Sequence, residues 1–239
     1  MGLFSKKPTL VVHDGQFHAD DIFAAAVLRI ALGGKLKIVR TREQKLIDAA
    51  DYVADVGGVY DPALKRFDHH QKGGAGSRTN GIPYASFGLA WKEYGEQICG
   101  SKEVAQRIDE RLACPIDAED NGMTLVQPLH GVSQYTLQGF LYLKRPTWKE
   151  GKEMYDTSFL SLVSEAEKIL LREIEITKHY LEARDAVRTA YHAAPDKRLI
   201  ELDKSYPYQE ALSEFPEPLY VVFPRPNDGH WKIESVRKI

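Results

Sequence analysis

Residues 55–71 read DVGGVYDPALKRFDHHQ. Asp55 stands at the exit of the apolar run Tyr52–Val56, which Gly57-Gly58 closes, and the triplet Asp68-His69-His70 begins thirteen residues later. A carboxylate followed by glycines can be approached closely, and its two oxygens can bridge two cations. Adjacent histidines in an extended segment face opposite ways. One could then bind a metal while the other reaches substrate or a supporting carboxylate. Against this stand plainer readings: Asp55 as a turn residue, and His69 and His70 as surface residues of a polar loop.

Two further clusters lie on either side. Upstream, HDGQFHADD (His13–Asp21) follows the β-branched run Thr9–Val12 and offers His13, His18 and Asp20 as candidate ligands, while Asp20 or Asp21 could cap the helix that follows. A helix N-terminus there also favours bound phosphate. Downstream, DAEDNG (Asp117–Gly122) closes a helix expected over 103–118. Acid at a helix C-terminus opposes the macrodipole, so a compensating cation is expected there. Asp120 is the preferred ligand, with Asp117 and Asn121 supporting it or replacing it. Three clusters of imidazole and carboxylate, each at the end of an apolar run, have the make-up of a two-metal hydrolytic centre.

The first half alternates strand-like and helix-like segments: Thr9–Val12, an apolar helix through IFAAAVLRIAL up to Gly33-Gly34, residues 36–40, a short helix over 43–50, and Tyr52–Val56. That alternation predicts a mainly parallel sheet with helices on its faces. Ligand sites of such sheets lie beyond the carboxyl ends of the strands, where His13 and Asp55 both fall. The glycine-rich stretch 72–83 is expected to be a mobile loop. Helical patterns resume over 84–94 and 102–112, and one or two helices are expected over 157–191. The final segment, LYVVFPRPNDGHWKIESVRKI, reads as two strands around Asp228-Gly229. Lys65, Arg66, Lys72 and Arg78 could hold phosphate, or form a solvated basic loop. Tyr84 and Trp91 read as core, and His130, His179, His192 and His230 as ordinary solitary histidines.

The 239 residues carry 32 Lys+Arg against 34 Asp+Glu, a net charge of −2, so no global field draws the chain to nucleic acid. Cys99 and Cys114, the only cysteines, lack CxxC spacing and fit a reducing cytoplasm. The opening MGLFSKKPTLVV reads as the approach to a strand rather than a signal peptide, and no run reaches the roughly 18 apolar residues of a membrane helix.

The motifs HDGQFHADD, DVGGVYDPALKRFDHHQ and DAEDNG, in this order, resemble the DHH phosphoesterase superfamily and, within it, the melanocyte-proliferating-gene (MYG) branch. The usual first motif of the superfamily is His-x3-Asp-x-Asp. This chain has His13-x4-His18-x-Asp20, the form of the MYG branch, with Asp21 where that branch usually has Glu. The resemblance implies that His13, His18, Asp20, Asp55, His69 and Asp120 bind metal and that Asp68 supports them. His70 would contact phosphate or protonate the leaving group, Asp21 would stand behind the ligands or replace one of them, and two Mn²⁺ or Mg²⁺ ions would be the cofactor. It implies a DHH-type catalytic domain over 1–150, a helical bridge over 151–192, and a partial C-terminal α/β substrate-binding domain over 193–239, since family members continue past Ile239 into a glycine-rich substrate-binding segment.

The resemblance further implies phosphodiester hydrolysis, as a 3′-to-5′ exoribonuclease acting on RNA or oligonucleotides; the apolar runs, too short for a membrane helix, argue against a membrane partner. A homodimer is compatible with it. The alternatives are the same centre acting on pyrophosphate or on short or cyclic oligonucleotides, and a non-catalytic RNA-binding protein stabilised by its metal. The branch was earlier described as metal-dependent protein hydrolases, but no HExxH helix or Ser/His/Asp arrangement supports a peptidase.

Overall fold

The computed structural model describes residues 7–151 and 153–237, so the reading of residues 1–6 lies outside the described residues. The chain forms two compact units, 1–174 and 175–239.

The first unit is built on strands β1 (Thr9–Val12), β2 (Lys37–Arg40), β3 (Tyr52–Ala54), β4 (Tyr60–Asp61) and β5 (Arg66–Phe67) in the order β2-β1-β3-β5-β4. All neighbours are parallel except the short β4, which runs antiparallel to β5. Helix α1 (Ala19–Ala31) connects β1 to β2, and α2 (Gln44–Ala49) connects β2 to β3. The pleat sends successive side chains to opposite faces. Val11 and Val53 pack with Ile47 and Ala50 of the α2 side, while Leu10 and Val12 are equally buried. A sheet covered on both faces explains why its strands read as unbroken apolar runs. The expected α/β architecture is present, with β4 and β5 as additions that two-residue strands leave invisible to periodicity.

Helix α3 (Ser86–Cys99) packs on α1, with the Phe23 and Phe87 rings 5.1 Å apart. Both are fully buried, as are Phe17 and Phe67, and each such ring contributes about 1.5–3 kcal/mol relative to exposure. After α3 come α4 (Lys102–Ile108), a π-helical stretch (Asp109–Ala113) and α5 (Cys114–Asp120), without a break. Pro115 lacks an N–H and its ring crowds the carbonyl four residues back, which accounts for the widened turn before it. Helix α6 (Leu137–Tyr142) follows, and then α7 (Met154–Ala193), one continuous helix where one or two were expected. The division between the units falls inside α7. Phe159, Leu162, Val163 and Leu170 are buried in the first unit, and Val187 and Tyr191 belong to the core of the second.

Stretch 72–83, expected as a mobile loop, is tied down. Ser77 bridges Pro83, the Arg78 N–H donates to the Ile82 carbonyl, and the Arg78 guanidinium is held between two carboxylates.

The second unit contains β6 (Leu199–Glu201), α8 (Gln209–Ser213), β7 (Tyr220–Pro224) and β8 (Trp231–Ser235). The order is β6-β7-β8, parallel then antiparallel, so the expected terminal hairpin is present. One face of this sheet buries Ile200, Val221 and Phe223 against Val187, Tyr191, Ala211 and Leu212. Tyr220, Trp231 and Ile233 are exposed. Among the described residues, no helix is long and apolar enough to cross a membrane.

Candidate metal centre

The strand order brings the motifs together. Because β1, β3 and β5 are adjacent and parallel, their carboxyl ends deliver His13, Asp55 and Asp68-His69-His70 side by side. Helix α1 then begins with Asp20 and Asp21 in its first turn, and α5 ends on Asp120.

Asp55 is at the centre. Its Oδ2 lies 3.2 Å from His13 Nε2, and its Oδ1 lies 3.4 Å from His69 Nε2. Each oxygen of one carboxylate therefore faces a different imidazole. Its backbone is in the left-handed region at φ 54°, which Asp tolerates better than most residues and which cants the side chain out of the strand direction. Gly57 and Gly58 follow at φ 95° and 67°, also left-handed, and the Gly58 N–H donates to Asp68 at 2.5 Å. The sequence places glycine where the turn requires it.

The remaining donors surround this pair. His13 Nδ1 is 2.9 Å from the carbonyl of Asp14, which only accepts, so Nδ1 carries a proton and Nε2 faces Asp21 (3.1 Å) and Asp55. His69 Nε2 also lies 3.2 Å from Asp120 Oδ2. Donor atoms fall within 4.8 Å of one another in three groups: His13, His18 and Asp55; Asp20, His69 and Asp120; and Asp55 with Asp68, His69 and His70. The six residues expected to bind metal thus all fall in these groups, which Asp55 and His69 link.

Two buried atoms there, Asp21 Oδ2 and His69 Nε2, approach their ion-pair partners at 3.1–3.4 Å without a well-aligned hydrogen bond. Buried polar atoms normally find well-aligned partners, and a cation would satisfy both. A borderline imidazole and carboxylate donor set suits Mn²⁺ and similar divalent ions. The residues present fit the group.

The electrostatics agree. Burial by itself would lower the His13 pKa, but Asp21 and Asp55 more than reverse this and hold it at about 10. His69 is held at about 11 against burial by Asp120, Asp55 and Asp20. Burial and the Asp55, Asp120 and Asp117 charges push Asp20 well above the usual carboxylate range. Asp55 is driven the other way, its burial overcome by the His13 and His69 imidazoles beside it. Without a cation, protons on imidazole and carboxylate balance the charge.

Asp68 is fully occupied behind the ligands. Its Oδ1 accepts from His70 Nδ1 at 2.7 Å and from the backbone N–H groups of His69 and His70 at 2.7 and 3.1 Å. Its pKa is lowered although burial opposes this. The His70 ring is mostly exposed and lines a cavity of about 780 Å³ shared with His13, His18, Asp55 and Asp120. The Asp68 hydrogen bond raises its pKa above the ordinary histidine value.

A sequence model of the family MYG1_exonuc, described as an uncharacterised protein family (UPF0160), matches residues 9–239. The chain belongs to the MYG1 family. "MYG1 exonuclease" of Homo sapiens is 28% identical over 266 residues, covering 97% of this chain and 70% of that protein. "MYG1 protein C694.04c" of Schizosaccharomyces pombe is 25% identical over 262 residues, covering 95% and 78%. "MYG1 protein" of Chlamydia pneumoniae is 40% identical over 114 residues, covering 46% and 36%. Among solved structures, a pGpG-specific phosphodiesterase from Vibrio is superposable with a TM-score of 0.40 at 14% identity, covering 91% of this chain and 77% of that one.

The other candidate residues of this MYG1-family chain are placed differently. Asp117 is fully buried, paired with Arg78 Nη1 at 2.7 Å, and pushed up to about 7 by burial. Asn121 donates to the Asp117 carbonyl at the end of α5. Arg78 also pairs with Asp109 at 2.6 Å, and Arg66 donates to the carbonyls of Leu64 and Ala50. Neither arginine lines the cavity, nor does Lys72. The basic residue on its wall is Arg42.

Four contributors escaped the sequence reading. Ser86 Oγ lies 3.4 Å from Asp55 Oδ1. Gly88 accommodates Asp117, while Gln138 and Tyr142 wall the cavity. Ser86 carried a readable signal, a serine beginning a helical pattern after Pro83. Trp91 is core as expected, buried with its Nε1 donating to the Ala105 carbonyl, whereas Tyr84 is only half-buried, under the Arg78 guanidinium.

Proposed function

We propose that this chain is a metal-dependent phosphodiester hydrolase whose substrate is RNA, degraded from the 3′ end. The observation that carries the reading is the position of Asp55, one oxygen toward His13 and the other toward His69, at the meeting point of the donor groups. The human relative's name, MYG1 exonuclease, supports the reaction class.

Two divalent ions held by His13, His18, Asp20, Asp55, His69 and Asp120 would stabilise charge on phosphoryl oxygens and lower the pKa of an attacking water. The chain's own residues do the rest. Asp55 fixes the spacing between the two ligand groups. His70, whose Nδ1 is taken by Asp68, keeps Nε2 available to donate a proton to the leaving oxygen. Arg42, 3.3 Å from Asp14, places a positive charge on the cavity wall, where a phosphate would enter.

The test is Asp55→Asn, which keeps the left-handed backbone accessible while removing the second anionic oxygen. Hydrolysis of a 5′-labelled oligoribonucleotide with Mn²⁺ should fall at least a hundredfold. Wild-type protein should produce a ladder shortening from the 3′ end. Undiminished turnover by the variant would remove Asp55 from this role. Intact RNA alongside cleaved pyrophosphate or cyclic dinucleotide would reassign the substrate of the same centre.

A further inference from the structure

Tyr142 and Gln138 lie on one turn of α6 and belong to the wall of the cavity that holds the histidines and carboxylates. Gln138 is 8% exposed and its side chain is committed at both ends. Its Oε1 accepts the backbone N–H of Ala19 at 2.7 Å, in the first turn of α1 beside His18 and Asp20. A backbone N–H can only donate, so the amide orientation is fixed: oxygen toward Ala19 and nitrogen toward the phenol. Nε2 then donates to Tyr142 Oη at 2.5 Å. With its oxygen already accepting, the phenol must point its own proton elsewhere. It has no other hydrogen-bond partner among the described residues. The Arg145 guanidinium stacks 3.6 Å from the centre of the tyrosine ring, a cation–π contact that holds the ring in place.

We propose that Tyr142 is a substrate-binding hydroxyl that donates a hydrogen bond to a phosphate oxygen in the cavity, and that Gln138 is the positioning residue that turns its proton outward. The proposal rests on the phosphodiesterase reading for the identity of the ligand. Gln138 also ties α6 to the start of α1, across 119 residues of sequence, so the donor and the metal-binding residues are positioned from one point.

The test pairs two variants. Tyr142→Phe removes the proton and keeps the ring. Gln138→Glu keeps an acceptor for Ala19 but replaces the amide donor by a carboxylate, which captures the phenol proton. Affinity of Mn²⁺-loaded protein for adenosine 5′-monophosphate, a product that no phosphodiesterase consumes, is measured by calorimetry alongside KM and kcat on a short oligoribonucleotide. A hydrogen bond to a charged oxygen predicts a 10- to 100-fold loss in affinity and a matching rise in KM for each variant. The double variant should be no worse than either single one, with Mn²⁺ stoichiometry and kcat near wild type. Affinity and KM unchanged in both variants would overturn the proposal, as would losses that multiply in the double variant. Nucleotide binding that depends on Tyr142 in a protein that cleaves no phosphodiester would sustain this site while refuting the catalytic reading.

Discussion

Asp20, on α1, accepts the backbone N–H of Phe87 at 2.6 Å with Oδ1 and that of Ser86 at 3.0 Å with Oδ2, so one carboxylate caps the first turn of α3. Asp117 takes the next N–H, that of Gly88, at 3.0 Å. The α3 N-terminus is therefore aimed into the acidic cluster, where its partial positive charge offsets the crowding of buried carboxylates. Each Asp20 oxygen retains a second lone pair, so capping and metal binding are compatible.

This double role gives Asp20→Asn a distinctive phenotype. The amide keeps one acceptor for α3, as a protonated carboxyl does, so the metal-free variant should stay folded. It should lose most of the stabilisation that Mn²⁺ confers, which for the wild type is about 2.7 kcal/mol at a hundredfold excess over Kd. Scanning calorimetry with and without Mn²⁺ decides this. A full Mn²⁺-induced rise in Tm in the variant would show that Asp20 only caps.

Gly88 is required by packing. A Cβ there would sit 1.8 Å from Asp117 Oδ2 and 2.6 Å from Arg78 Nη2, inside a buried ion pair that cannot step aside. Gly88→Ala should cost at least about 1–3 kcal/mol of overpacking strain. Arg78→Met should cost about 3–5 kcal/mol by stranding Asp117 unpaired, and Asp117→Asn in that background should recover part of it. Urea unfolding of metal-free protein measures all three. Wild-type stability in Gly88→Ala would mean the network yields more readily than its burial implies.

Chelated protein should lose stability as pH rises. His13 at about 10 and His69 at about 11 lie above the unfolded value near 6.5, so the folded state holds more protons between those limits. Their contribution is complete below about pH 6.5 and disappears as pH climbs through 10–11. Asp20 and Asp21, raised by burial, act in the same direction. Asp55, which is lowered, matters only in acid. With Mn²⁺ the protons are displaced and affinity grows with pH, so the gap in Tm between loaded and chelated protein should widen from pH 6.5 to 9. A gap that narrows would contradict the charge pattern.

The sequence made legible whatever is local. His13, Asp55 and the His69 pair each end an apolar run, and strand ends in a parallel sheet converge, so the ligand cluster could be anticipated without knowing the strand order. The strands β4 and β5 were too short to carry a period. The basic residues misled because like position in sequence says nothing about direction: Arg78 turns inward to Asp109 and Asp117, and the cavity receives Arg42 from the far edge of the sheet. Gln138 and Tyr142 had no signature, since their roles exist only through contact with Ala19 and with each other.

Asp68 and His70 give the last prediction. The carboxylate hydrogen bond is the foremost cause of the raised His70 pKa, so His70 stays protonated further into the alkaline range than a free histidine. If His70 donates the proton to the leaving oxygen, the alkaline limb of the kcat profile reports its loss. Asp68→Asn should move that limb to lower pH, because an amide supports the imidazolium less than a carboxylate does, and should reduce kcat at pH 8 about tenfold or more. Neither effect should appear with a substrate whose leaving group is 4-nitrophenolate, which departs without a proton. An alkaline limb that stays in place in Asp68→Asn would assign the proton to another group. Equal losses on both substrates would instead make Asp68 a support for the metal ligands alone.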